Sequence, residues 1–130
     1  MKLGASLPVG DIGTGPTVMR DYAQAAEELG YDYLVGPDHV LGGNPNVDHG
    51  GRRVGTTATA YHDPFVLFAY LAGVTKKIGF AAGVLILAQR QAALVAKQAA
   101  CLDELCEGRF RLGVGVGWTE IEFQGLGEDF

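Results

Sequence analysis

Basic charge, cysteine and long apolar runs are all scarce in this sequence, and each scarcity removes a class of function. Ten Lys and Arg stand against fifteen Asp and Glu, a formal net charge of −5, and the basic residues are scattered along the chain. A nucleic-acid partner needs a basic stripe to meet its phosphates, so no nucleic-acid role is expected. The longest apolar run, Ile78 to Ala88, is too short to span a bilayer. Gly4 and Pro8 interrupt the N-terminal stretch where a signal-peptide core would lie. No membrane association is expected, and the cytoplasm is the expected compartment. The two cysteines, Cys101 and Cys106, match no metal-ligand or redox spacing and read as packing residues in a helix. No metal site is predicted.

What the chain does have is ordinary globular material: 130 residues, 48% hydrophobic and 19% charged, enough for one modest domain. Lys2 to Val9 reads as a short buried strand. A glycine-rich turn then leads to Pro16, which suits a first helical turn. Val18, Tyr22, Ala25 and Leu29 recur at helical spacing, and Gly30 sits where a left-handed cap would end the helix. Tyr33 to Val35 forms a second strand, closed by Gly36, Pro37, Asp38 and His39. Leu41 to Thr59 has no periodicity, and a loop of that length usually has a function.

Asp63 before Pro64 is a capping residue followed by a first-turn proline, and Phe65, Phe68, Ala69 and Ala72 share the face of the helix they open. Ile78 to Leu87 is nearly all apolar, which predicts a strand buried on both faces. Gln91 to Glu107 carries Val95, Ala99, Leu102 and Cys106 on one helical face, and Gly108 stops it. Arg109 to Val116 is the fourth strand. Strands alternating with helices in this way give an α/β fold with a parallel sheet. An open doubly wound sheet and the first half of an eight-stranded barrel, which needs about 250 residues, both satisfy the pattern.

In both architectures ligands bind at the carboxyl ends of the strands. Asp38 and His39 stand at one such end, where a histidine can exchange a proton and a neighbouring carboxylate can hold its ring; the alternative is a loop cap and a packed histidine. His49 with Asp48, and His62 with Asp63, are weaker candidates, read as loop or core residues. Arg52 and Arg53 offer paired donors for an anion but read as a solvated loop edge. Gly113, Gly115 and Gly117 strip a strand tip of side chains, allowing a ligand to approach backbone closely. They do not complete a GxGxxG dinucleotide motif. Trp118 can stack on a ring. Glu120 and Glu122 follow it, where a carboxylate could act as an acid, but they read as surface residues at a helix start.

Three stretches are recognisable together: DPFVLFAYLAGVTKKIGFAAGVLIL, QRQAALVAKQAACLDELCEGRFRLGVGVGW and EFQGLG. With Asp38-His39 after strand two, they make the chain resemble the luciferase-like monooxygenase superfamily, in particular its deazaflavin-dependent oxidoreductases. The resemblance implies a (β/α)8 TIM barrel, with residues 1–130 forming one domain that supplies its N-terminal half and ends after strand four. It implies hydride transfer between deazaflavin (coenzyme F420), or FMN as the alternative, and a small organic substrate. Site residues follow from it: His39 with Asp38 as the catalytic pair, and His39, Gly83, Val84, Gly115, Gly117 and Trp118 around the cofactor. It also implies a non-prolyl cis peptide at Gly83–Val84. Trp118 stands where the sugar-phosphate dehydrogenase branch carries a glutamate, so that branch's acid is not carried over. Four strands of a barrel leave two unpaired edges; the resemblance implies a homodimer through helices near the second and third strands, with pairing of the edges, by a second copy or a complementary half-barrel, as the variant. A non-catalytic half-barrel that only assembles, or binds ligand weakly, is the competing expectation.

Overall fold

The computed structural model describes residues 1–8, 11–44, 46 and 61–130. Four strands, β1 (Gly4–Ser6), β2 (Tyr33–Gly36), β3 (Gly79–Ile86) and β4 (Phe110–Gly115), alternate with helices α1 (Pro16–Glu28), α2 (Pro64–Ala72), α3 (Ala92–Leu105) and α4 (Glu120–Leu126). The sheet is parallel throughout, in the order β1-β2-β3-β4. Strands that follow one another in sequence are neighbours in space, the arrangement of the first half of a (β/α)8 barrel. β1 and β4 are the open edges. No helix among the described residues is long and apolar enough to cross a membrane.

The helix boundaries follow their local chemistry. Pro16 occupies the first turn of α1, and Gly30 beyond its end takes φ +82°. Asp63 caps α2 by accepting from Phe65 N at 2.9 Å and Val66 N at 3.1 Å. Gly108, at φ +76°, turns the chain from α3 into β4.

One face of the sheet meets the helices, and there Leu34, Phe80 and Leu85 are buried with Phe68 and Leu71 of α2 and Leu102 of α3. Phe68 packs its ring 5.4 Å from Phe80 and 6.2 Å from Phe110. Truncating a ring in such a position costs about 3–5 kcal/mol. α1 buries Met19, Ala23 and Ala26 rather than the expected Val18, Ala25 and Leu29, which are exposed. Small alanines let the helix lie close to the sheet, and a neighbouring stripe of similar hydropathy gave no means of choosing between the two. In α2, Ala69 is likewise exposed and Leu71 buried instead.

β3 is not buried on both faces. Its helix-facing residues are covered, but Gly83 and Val84 are exposed on the opposite face, the one that turns inward when a barrel closes. The expectation of burial on both faces is corrected, because among the described residues nothing covers the face opposite the helices at Gly83 and Val84. The same openness leaves Leu112, Val114 and Val116 at 40%, 52% and 80% exposure along the β4 edge.

Arg109 braces the opposite, amino end of the sheet. Its guanidinium donates to the carbonyls of Cys106 at 2.8 Å, Ile78 at 2.7 Å and Ala72 at 3.3 Å, joining α3, β3 and α2. Glu27 at the end of α1 does comparable work with one carboxylate oxygen. It accepts from Lys76 N and Ile78 N at 2.9 Å, and from Lys77 N between them. Partial burial opposes its charge, but these three N–H groups and the Arg109 charge outweigh it and hold the carboxyl below its ordinary 4.5. A carboxyl depressed on folding contributes stability above its unfolded pKa, and that contribution disappears as pH falls through the folded value. Glu27→Gln is therefore expected to lower stability by about 1–2 kcal/mol at neutral pH. In urea denaturation, the gap between wild type and variant should narrow as pH falls below 4.5 and through the depressed folded value.

Candidate functional site

The carboxyl ends of β2, β3 and β4 come together around a cleft of about 340 Å³ whose lining includes Asp38, His39, Gly83, Val84, Val116, Gly117 and Trp118. Gly115 does not line the cleft. It lies one layer back, where a Cβ would stand 2.5 Å from Val84 Cγ2, so its bare backbone gives Val84 its space. Gly83 is constrained in the same way, since a Cβ there would meet Val35 Cγ1 at 2.5 Å. The Gly83–Val84 peptide is cis, at the position where the family resemblance puts such a bond. Gly117 has φ +78°, and a side chain on it would also strike Ile86 Cγ2 at 2.7 Å. The outcome is a wall of backbone and small apolar groups, with Val84 44% and Trp118 39% exposed.

Asp38 and His39 are neighbours in sequence but face different partners. The Asp38 side chain is 1% exposed, 2.7 Å from Arg90 Nη2, and it also accepts from Arg90 Nε at 3.2 Å and Ile86 N at 2.9 Å. Arg90 reaches across to Asp63 Oδ2 at 3.1 Å. Burial works against the guanidinium charge, and the two carboxylates more than compensate, so its pKa lies above the ordinary arginine value. The expectation that Asp38 holds the His39 ring is thus corrected: Asp38 is engaged with Arg90 and the end of β3.

Glu122 holds the ring instead. Its Oε2 lies 3.1 Å from His39 Nδ1, and its Oε1 accepts from Leu41 N at 3.2 Å. The expectation of a surface glutamate is overturned, because this side chain is 0% exposed. α4 follows directly on Thr119 and turns Glu122 and Phe123 inward together, which Glu120, on the exposed side, does not share. Tyr61 packs its ring 4.9 Å from that of His39, and Trp118 stands edge-on at 6.4 Å. His39 is fixed from three directions by residues distant in sequence.

His62 is exposed and lies with Nε2 2.9 Å from Thr14 O, so it is neither a core residue nor part of the cleft. Cys106 is buried and Cys101 partly so, both as free thiols. Asp48, His49, Arg52, Arg53 and most of the Leu41 to Thr59 segment lie outside the described residues. The sequence reading missed Glu122, Arg90 and Tyr61. For Glu122 a signal was available: it is flanked by Ile121 and Phe123, an apolar setting in which a glutamate needs a partner.

A parallel half-barrel with a side-chain-poor cleft at its strand ends is an α/β architecture of the TIM-barrel type, and the sequence matches the luciferase-like monooxygenase family over residues 3–130. The chain belongs to that family. It is 31% identical over 137 aligned positions to the pyrimidine monooxygenase RutA of Allorhizobium ampelinum, covering 97% of this chain and 35% of that protein. The Caulobacter vibrioides RutA is 28% identical, with 98% and 36% covered. Among solved structures, the oxygenating constituent of 3,6-diketocamphane monooxygenase from Pseudomonas putida, a complex with FMN, superposes with TM-score 0.74 at 23% identity, over 98% of this chain and 32% of that one. The coenzyme F420 dependent tetrahydromethanopterin reductase of Methanopyrus kandleri gives 0.71 at 22%, over 99% and 30%. The chain spans about a third of the length of these curated relatives.

Arg90 is the residue on which the arrangement of strand ends depends most. Arg90→Ala leaves two carboxylates facing each other, one of them buried, and is expected to cost about 3 kcal/mol. Removing the exposed Arg20–Asp21 pair should cost less than about 1 kcal/mol. Thermal unfolding of the two variants side by side measures the contrast.

Proposed function

We propose that the cleft receives the ring of a flavin-type cofactor, deazaflavin or FMN, and that the protein is an oxidoreductase acting on a small organic substrate. One observation carries this reading: Gly83 and Gly117 leave one wall of the cleft without side chains, Gly115 behind them makes room for Val84, and His39 is held at the rim by Glu122. A flat, largely apolar ring needs such a surface, and the exposed faces of Val84 and Trp118 add apolar contact. The names of the relatives support it, since one similar structure contains FMN and another depends on coenzyme F420.

In this reading Gly83, Val84, Gly117 and Trp118 bind and orient the ring, Gly115 supports Val84 from behind, and His39 meets the substrate-facing side as the catalytic residue. When bound, the cofactor supplies hydride acceptance or donation. His39 is suited to hold or release a proton at its outer ring nitrogen, because its other nitrogen is committed to Glu122. Asp38 acts at one remove, as a positioning residue that fixes the Pro37-Asp38-His39 turn against β3 through Arg90 and Ile86 N.

A second reading, assembly without catalysis, is favoured by the unpaired edges of β1 and β4 and by the exposed Leu112, Val114 and Val116. Such an edge calls for further strands, from a complementary half-barrel or a second copy. The two readings separate in a titration with deazaflavin coenzyme and with FMN, followed by ligand fluorescence alongside light scattering. We expect saturable binding of one of them, lost at least about tenfold in Gly117→Val, where the left-handed backbone and the Ile86 contact admit no side chain. His39→Ala should retain binding while turnover falls about a hundredfold or more. A folded oligomer that binds neither ring contradicts the redox reading.

A further inference from the structure

Glu122 follows Thr119 by three positions, the Thr-x-x-Glu pattern of a capping box. In that motif the threonine hydroxyl bonds the glutamate's N–H, and the glutamate side chain returns to the threonine's backbone N–H. Here neither half closes. Thr119 Oγ1 is buried with no hydrogen-bond partner among the described residues, α4 starts without a side-chain cap, and the glutamate side chain points away to His39 Nδ1 and Leu41 N. Only the backbone bond from Glu122 N to Thr119 O, at 3.0 Å, remains of the local arrangement. A helix end has been left without a side-chain cap, and a fully buried carboxylate has been sent to His39, which lines the cleft.

We propose that Glu122 is the positioning residue that selects the tautomer of His39, keeping the proton on Nδ1 and leaving Nε2 as an acceptor toward the cleft. This rests on the reading of His39 as the cleft's catalytic residue. The hydrogen-bonding inventory makes the assignment. Leu41 N can only donate, and it takes one oxygen of Glu122. The other oxygen faces His39 Nδ1, and a carboxylate can only accept, so Nδ1 carries the hydrogen. Nε2 has no hydrogen-bond partner among the described residues. An amide in place of the carboxylate cannot serve both neighbours: if its oxygen accepts from Leu41 N, its NH2 group confronts Nδ1 and drives the proton to Nε2. The packing of Tyr61 and Trp118 against the ring resists the flip that would exchange the two nitrogens.

The test is heteronuclear NMR of the protein with its histidine ring nitrogens labelled, at a pH where the rings are neutral. His39 is assigned by difference against His49→Gln and His62→Gln. We expect the Nδ1–H form of His39 to exceed Nε2–H by roughly tenfold or more, the preference a charge-assisted hydrogen bond imposes. Glu122→Gln should abolish or reverse that excess, while a purely structural role would lower the melting temperature and leave the ratio unchanged. Predominant Nε2–H in the wild type, or an unaltered ratio in a folded Glu122→Gln, overturns the proposal. Should the variant not fold, the wild-type ratio decides alone. No ligand enters this measurement, so a correct tautomer in a protein that binds neither flavin-type ring would remove the redox reading and leave the positioning role standing.

Discussion

Arg90 ties the ends of β2 and β3 together, and the geometry of the cleft depends on that tie. Asp38 is buried at the end of β2, where an unpaired carboxylate would be costly. Arg90 meets it at 2.7 Å, and Ile86 N meets it at 2.9 Å. The same guanidinium reaches Asp63, which caps α2. One side chain thus fixes the spacing of two strand ends and a helix start, and His39 is placed beside Gly83 and Val84 as a consequence. At the opposite end of β3, Arg109 ties α2, β3 and α3 through backbone carbonyls. The central strand is held at both ends by arginines, one acting on carboxylates and the other on the backbone.

With the strand ends fixed, glycine determines what the cleft can hold. A Cβ at Gly83 would meet Val35, at Gly115 Val84, and at Gly117 Ile86 and Phe123. Glycine weakens a strand interior, so the sheet gives up local stability for a wall without side chains. α4 supplies the polar counterpart. Its first turn lacks a side-chain cap, and its glutamate is spent on His39. Both departures from the locally favoured choice fall within the same cleft, the pattern expected where function competes with folding.

Most of the fold could be read from the sequence because its signals are local. Asp63-Pro64 announces α2, Gly30 and Gly108 mark turns with positive φ, and the strand and helix alternation implies a parallel sheet. Gly83, Gly117, His39 and Trp118 could also be assigned to the cleft, because chain order alone puts them at strand ends, whereas Gly115 lies behind its wall. What stayed hidden depends on contacts between distant segments. Glu122 is 83 residues from His39 and Arg90 is 52 from Asp38, and no spacing rule links either pair. The α1 face was misjudged for a related reason: Val18, Ala25 and Leu29 form as good a stripe as Met19, Ala23 and Ala26, and only the sheet beneath decides between them.

The central claim is that a flavin-type ring lies against Gly83 and Val84, within reach of His39. A crystal structure of the protein grown with whichever of FMN and deazaflavin coenzyme binds it tests this directly. Ring density over the Gly83–Val84 backbone, with Trp118 and Val116 in apolar contact, is the predicted result. A well-ordered ring elsewhere on the molecule, with this cleft filled by side chains or solvent, would contradict it.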